Sequence, residues 1–288
     1  MSCAIFLFHR IAPSADQDRW GLTVEKTEFD DFVIALKSSG TLKPLMEALQ
    51  GLRAGKNGLT TALTFDDCYE DLESYAFPAL RELRLAATMF PATRYVSKRE
   101  PFWWEAVRSL EYSRLHMEIA LDLWGGSKGH ITSIIDDWCS VLKRLPPLQR
   151  DARLAELGFA LEGLGSLDWP QLRDRPPEVT LGCHTHTHTV LSSLTPIDVV
   201  AELTMSSDLL FTETGNRPKV IAYPNGQPGD FSPTHESFFT DVGLEFGLTT
   251  IPGINTSADH PYRLKRIPIV PGQALAQLKK ALQKQVTS

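Results

Sequence analysis

Three short apolar runs in this chain each end in residues that can do chemistry. Residues 4–8 lead into His9, residues 59–65 into Asp66-Asp67, and residues 179–183 into His184. Runs this short and this continuously apolar read as strands buried on both faces. Between them lie stretches with apolar side chains at helical spacing, such as Phe29, Phe32, Val33 and Leu36 within 27–39. Alternation of this kind is the signature of βα units around a mainly parallel sheet. The same reading predicts further strands at 86–90, 220–223 and 246–250. It places helices at 72–83, 195–214, 232–242 and 273–286. An all-α or all-β fold is excluded.

One stretch interrupts the alternation. Residues 105–163 read as helix upon helix, punctuated by Gly125-Gly126 and Pro146-Pro147. We therefore expect a single α/β domain over 1–288 that carries a helical insertion, and the length suits an α/β barrel. Such an insertion either walls a substrate cleft or simply braces the fold.

Charge and cysteine usage narrow the function classes. Lysine and arginine number 29 against 35 acids, a net charge of −6 with no long run of either sign. A protein built to hold nucleic acid or an anionic membrane needs a concentrated basic surface, so neither partner is expected. Nowhere do eighteen apolar residues run together, so no membrane span is expected. The apolar start is too short for a signal peptide and runs straight into His9-Arg10, which gives a cytoplasmic expectation. Cys3, Cys68, Cys139 and Cys183 form no CxxC pair, which argues against a disulfide scaffold.

Two segments carry the chemistry. Asp66-Asp67 follows an apolar strand, and in parallel α/β folds sites are built at the carboxyl ends of strands. Adjacent carboxylates repel unless a cation or proton compensates, although the pair could equally cap a helix. The second segment, Cys183-His184-Thr185-His186-Thr187-His188, packs three histidines into five residues. On one turn of helix His184 and His188 would lie on the same face, about 6 Å apart, with His186 pointing away. That spacing suits one divalent ion, with a third ligand and an open position completing a catalytic arrangement.

Together these residues resemble the polysaccharide deacetylases, carbohydrate esterase family four. The resemblance rests on Thr64-Phe65-Asp66-Asp67 with Tyr69-Glu70-Asp71, and on His184-Thr185-x-x-His188. Looser matches are Phe8-His9-Arg10, Phe102-Trp103-Trp104, Ala222-Tyr223-Pro224-x-Gly226 and Arg263-Leu264-x-Arg266-Ile267-Pro268. It implies a distorted (β/α) barrel with fewer than eight complete units. It also implies a metal held by Asp67, His184 and His188, with Asp66 as general base. The oxyanion would be met by a backbone N–H within 223–225, which makes Tyr223 and Asn225 candidate substrate-binding residues.

The chain departs from the family pattern at three places. Cys68 stands where glycine is common after the two aspartates, a position that suggests a permissive backbone. Ala222 stands where many members carry an arginine that pairs with the catalytic aspartate, so Arg266 is expected to reach Asp66 instead and to lie near substrate. No late histidine motif supplies a general acid. His9, at the end of the first run, opens onto the same barrel face and is the candidate. Trp103-Trp104, expected directly after a strand, would form a sugar-stacking wall, with Trp104 as the named candidate, or else pack the insertion. His116, His130 and His235 read as solvated, and Asp136-Asp137 as an exposed helix face.

The expected function is metal-dependent removal of an N-acetyl or N-formyl group from an amino-sugar unit of a glycan or glycoconjugate precursor. The ion is expected to be Zn²⁺, with Co²⁺, Ni²⁺ or Fe²⁺ chemically suitable. Two alternatives stand: an amidohydrolase of small non-sugar amides, and a catalytically silent carbohydrate-binding protein.

Overall fold

The computed structural model describes residues 2–15, 18, 20–125, 130–158, 160 and 162–283. Seven parallel strands form its centre: β1 (Ser2–Phe8), β2 (Leu59–Asp67), β3 (Ala87–Pro91), β4 (Val179–Leu181), β5 (Val220–Ala222), β6 (Phe246–Pro252) and β7 (Leu264–Pro268). Each pairs with its neighbour in chain order from β1 to β4 and from β5 to β7, and β7 returns to β1. The two free edges meet at a single parallel bridge, Cys183 to Ile221. The sheet is thus a distorted (β/α) barrel with fewer than eight units. A two-residue strand, Asn255–Thr256, pairs antiparallel with Ser2 and Cys3.

β1 is buried from Cys3 to Phe8 because helices cover one face and the barrel interior the other. Helix Lys26–Ser38 brings Phe29, Phe32, Val33 and Leu36 against it, exactly the apolar stripe its spacing encodes, and Phe6 and Phe8 meet Phe32 edge-on at 5.1 and 5.2 Å.

Several elements differ from the sequence expectation. The helix expected at 72–83 is two, Asp71–Tyr75 and Phe77–Glu82. Pro78 has no N–H and would clash inside a continuous helix, but is tolerated in the first turn of a new one. Segment 232–242 begins as a 3₁₀ turn, Pro233–His235, before helix Glu236–Asp241. Helix Leu45–Arg53 and strand β7 were not anticipated. Trp103 and Trp104 open the helix Trp103–Ser109, and what precedes them is the helix Thr93–Lys98, not a strand.

Between β3 and β4 run the helices Trp103–Ser109, Arg114–Trp124, Ile131–Leu142 and Pro147–Ala155. They enclose their own apolar cluster, with Trp103, Trp104, Val107, Ile135 and Trp138 buried in it. Among the described residues no helix is long and apolar enough to cross a membrane.

Candidate active site

The carboxyl ends of the strands converge on a cavity of about 500 Å³. Its floor carries His9 after β1, Asp66 and Asp67 at the end of β2, His184 and His188 after β4, Asn225 after β5 and Thr250 in β6. Trp103 and Trp104 form a wall, and helix Ile131–Leu142 adds Asp136, Cys139 and Ser140, with Lys143 just beyond it.

β2 ends in two consecutive left-handed residues, Asp67 at φ 63° and Cys68 at φ 61°. This conformation is costly for side chains other than glycine and survives only where surrounding bonds impose it. Here the Cys68 carbonyl accepts from the Leu167 N–H at 2.8 Å and from Ser166 Oγ at 3.1 Å. The turn swings Asp67 away from Asp66, so that two sequence neighbours face different partners.

Asp66 faces Arg266. Its two carboxylate oxygens accept from Nη1 and Nη2 at 2.7 and 2.6 Å, while Arg266 Nε donates to the Thr249 carbonyl at 2.8 Å. Arg266 is wholly buried and is absent from the cavity lining. It therefore reaches Asp66 across the barrel from β7 but contacts no substrate space, which corrects its expected place beside substrate. Burial pushes the Asp66 carboxyl up, but the Arg266 guanidinium, aided by His184, holds it below the usual range.

Asp67 faces the two histidines. Its Oδ1 lies 3.3 Å from His184 Nε2 and 3.1 Å from His188 Nε2. The residues around them form a loop, not a helical turn: Thr185 and His188 have φ 61° and 52°. Even so the rings approach to 4.8 Å between centroids. His186 points away, its Nδ1 2.9 Å from Thr93 Oγ1.

The donor chemistry fits a divalent ion. His184 Nδ1 sits 2.7 Å from the Ala222 carbonyl, which can only accept, so Nδ1 carries the proton and the neutral ring turns its Nε2 lone pair to Asp67. Asp67 Oδ1 is buried without a hydrogen bond among the described residues. Ligand atoms of Asp67, His184 and His188 all lie within 4.8 Å of one another. Three acceptors gathered this closely need a proton or a cation between them. Burial disfavours charge on His184, but the Asp67 carboxylate 3.3 Å away and the Asp66 carboxylate raise its pKa, so a proton can hold the place an ion would take. His188 is held below its ordinary value by burial.

His9 is half-buried, lines the cavity and has no ring hydrogen bond among the described residues. Burial lowers its pKa against the pull of Asp67 and Asp66. Trp104 donates its Nε1 hydrogen to the Tyr69 hydroxyl at 2.8 Å and lies 4.3 Å from the His188 ring. Tyr223 does not serve as expected. Its hydroxyl donates to the Tyr262 carbonyl, its N–H to the Leu248 carbonyl, and its ring stacks on Phe231 outside the cavity lining. Asn225, at φ 60°, does line it.

Other sequence readings also shift. His235 is buried rather than solvated, its Nδ1 accepting from the Ser232 N–H. Asp136 and Asp137 are exposed on their helix as expected, and Asp136 also lines the cavity and accepts from Trp20 Nε1 at 3.2 Å. Cys68 and Cys183 are buried thiols whose pKa values burial pushes up, Cys183 to about 11, so neither offers a ready thiolate ligand.

The sequence profile described as Polysaccharide deacetylase matches residues 54–120 and 166–246, just over half of the chain. The chain belongs to the polysaccharide deacetylase family. The matched segments contain Asp66, Asp67, His184 and His188; most of the helical insertion and all of β7 with Arg266 lie outside them. Among solved structures, the fold is similar to the Streptococcus pyogenes deacetylase PplD in complex with acetate (19% identity, 98% of each chain, TM-score 0.69). It is also similar to a polysaccharide deacetylase from Bacillus cereus (18% identity, 98% of this chain and 69% of that one, TM-score 0.66). IcaB from Ammonifex degensii aligns over 98% and 97% of the two chains at 17% identity and TM-score 0.65. No curated protein matches by sequence. Family membership supports carbohydrate deacetylase activity.

Proposed function

We propose that the chain is a divalent-metal-dependent N-deacetylase acting on an amino-sugar unit of a glycan or glycoconjugate precursor. The observation that carries this reading is the division of labour between two adjacent acids: Asp67 gathered with His184 and His188, Asp66 clamped by Arg266.

Asp67, His184 and His188 would hold the ion, with Zn²⁺, Co²⁺, Ni²⁺ and Fe²⁺ all compatible with two imidazoles and a carboxylate. When bound, such an ion supplies Lewis acidity towards an amide carbonyl and acidifies water. Asp66 is kept ionised and aimed by Arg266, so it accepts the proton of the attacking water. Asn225 offers its N–H to the carbonyl oxygen as negative charge builds there, since the Tyr223 N–H is already taken. His9 delivers a proton to the departing sugar amine. The cavity is within the range of small-ligand sites, and Trp103 and Trp104 give it an aromatic wall of the kind that stacks on sugar rings.

The test compares bound metal and acetate release for wild type, His184→Ala/His188→Ala and Asp66→Asn. About one ion per chain in wild type and Asp66→Asn, none in the double variant, and acetate from N-acetylated amino sugars only in wild type is the expected pattern. Wild type without metal after resupply of Zn²⁺ or Co²⁺ would favour a silent carbohydrate-binding protein. For His9→Gln we expect kcat to fall by about 10²–10⁴ with metal retained; an unchanged kcat removes His9 from the reaction.

A further inference from the structure

Arg150, in the helix Pro147–Ala155, is wholly buried, yet it makes no ion pair among the described residues. Its Nη2 donates to the Thr187 carbonyl at 3.0 Å, and its guanidinium lies 5.3 Å from the centre of the Trp103 ring. Nε and Nη1 are buried without partners. A buried cation lacking a carboxylate is expensive, and one carbonyl with one aromatic face recovers only part of that cost.

The carbonyl it holds belongs to the peptide that leads into His188. The other side of the same loop is gripped by Glu202 of helix Pro196–Thr214. Glu202 Oε2 accepts from the His186 and Thr187 N–H groups at 2.8 Å each, and Oε1 from Thr187 Oγ1, also at 2.8 Å. Thr187 is therefore held between a buried anion on its N–H side and a buried cation on its carbonyl side. The anion takes the N–H of the peptide before Thr187 and the cation the carbonyl of the peptide after it, so the two successive peptides on either side of this residue are each fixed by a buried charge.

We propose that Arg150 and Glu202 are positioning residues that fix this loop so that His188 can keep its left-handed backbone and present Nε2 to Asp67. The helical insertion, in this view, does more than wall the cavity: its last helix reaches behind the loop and completes the support of a metal ligand. The inference rests on the metal reading above. It predicts that removing Arg150 weakens ion binding through His188 without touching any ligand atom.

The experiment measures Co²⁺ affinity by chelator competition and the visible spectrum of bound Co²⁺. It uses the full chain as wild type, Arg150→Met, Arg150→Lys and Trp138→Phe, each checked by circular dichroism and thermal melting. Trp138 packs in the same apolar cluster as Trp103 and donates to the Gly125 carbonyl, with no hydrogen bond to the loop among the described residues. Arg150→Met should weaken Co²⁺ binding about 10- to 100-fold and alter the spectrum, as removal of a group that orients a ligand does elsewhere. Arg150→Lys should lie between, because an ammonium cannot both reach the carbonyl and lie flat on the indole. Trp138→Phe should lower the melting temperature and leave affinity unchanged. Wild-type affinity and spectrum in either Arg150 variant that folds would overturn the proposal, even if that variant melts earlier. Affinity lost equally in Trp138→Phe would overturn it too, by showing a general loosening. A wild type that takes up no Co²⁺ overturns the metal reading, and this inference with it; uptake with unaffected variants overturns the clamp alone.

Discussion

Asp66 and Arg266 are 200 positions apart in the chain and form a two-point ion pair with no water access to the arginine. Breaking a buried pair leaves one charge stranded, at a cost of about 3–5 kcal/mol. Arg266→Met should therefore lose about that much stability in urea unfolding and also lose turnover, while retaining its metal. Arg266→Lys should rescue little, since a single ammonium cannot replace the planar fork. Metal lost along with turnover would instead assign Arg266 to the ion site. The histidine cluster was legible in the sequence because dense imidazoles have few structural explanations, whereas the two adjacent acids, which could equally cap a helix, were legible only beside those histidines and the family resemblance. Arg266 was legible as a cation near two acids, but not its seclusion from substrate. Tyr223 misled because an aromatic beside a strand end can as easily pack backwards as face the cavity. The His184–His188 spacing fits a helical turn and a left-handed loop alike; only the backbone distinguishes them.

Gly182 joins β4 to the histidine loop. A Cβ built there would sit 2.2 Å from Phe90 Cε1, 2.5 Å from Cδ1 and 3.0 Å from the Val220 carbonyl. Gly182→Ala must push apart strands β3, β4 and β5 where they meet. We expect a loss of about 1–3 kcal/mol and weakened metal binding; a variant as stable as wild type with unchanged metal content would show that the seam yields easily. Helix Asp71–Tyr75 carries a different liability. Asp71 is paired with Arg10 at 2.8 Å, yet burial outweighs that cation and pushes its pKa up to about 6. A raised value means the folded state holds the proton more tightly than the unfolded chain. The resulting stability is full below the ordinary carboxyl range, about pH 4, and is lost as pH rises through 6. Urea unfolding should show stability declining between pH 4 and 7 through this group, and Asp71→Asn should flatten that slope. An identical slope in the variant would show that Arg10 wins over burial. Strands β1 to β3 were legible because continuous apolar runs leave little choice. β7 was hidden because two of the five residues in its sequence, Leu-Lys-Arg-Ile-Pro, are charged, and its arginine points inward to meet Asp66 and the Thr249 carbonyl.

For the molecule as a whole, the proposed ion site costs stability when its three acceptors face one another unfilled and would add stability when filled. A ligand that binds only the folded state at about 100 times its dissociation constant adds about 2.7 kcal/mol. Zn²⁺ at that ratio should raise the melting temperature of wild type by several degrees and leave Asp67→Asn unmoved. A rise in both would mean binding elsewhere. The barrel was legible as a class of structure, and so was the run of helices between β3 and β4. Their junction was not, because the contact of Arg150 with Thr187 joins segments that no periodicity links.

The barrel's closure is uneven. β1 and β2 are zipped along seven residue pairs, whereas among the described residues the edges of β4 and β5 are joined through the single bridge of Cys183, just past β4, to Ile221, with two hydrogen bonds there: Cys183 N–H to the Val220 carbonyl and Ala222 N–H to the Cys183 carbonyl. A cylinder stitched this lightly at one place breathes there first. The stitch is shared with chemistry, since the Ala222 carbonyl also receives His184 Nδ1. Deuterium should therefore enter at Ala222 and Cys183 sooner than along β1, and Zn²⁺ should slow its entry at the seam while leaving β1 unchanged. Capturing an ion and sealing the barrel would then be one event, seen from two sides.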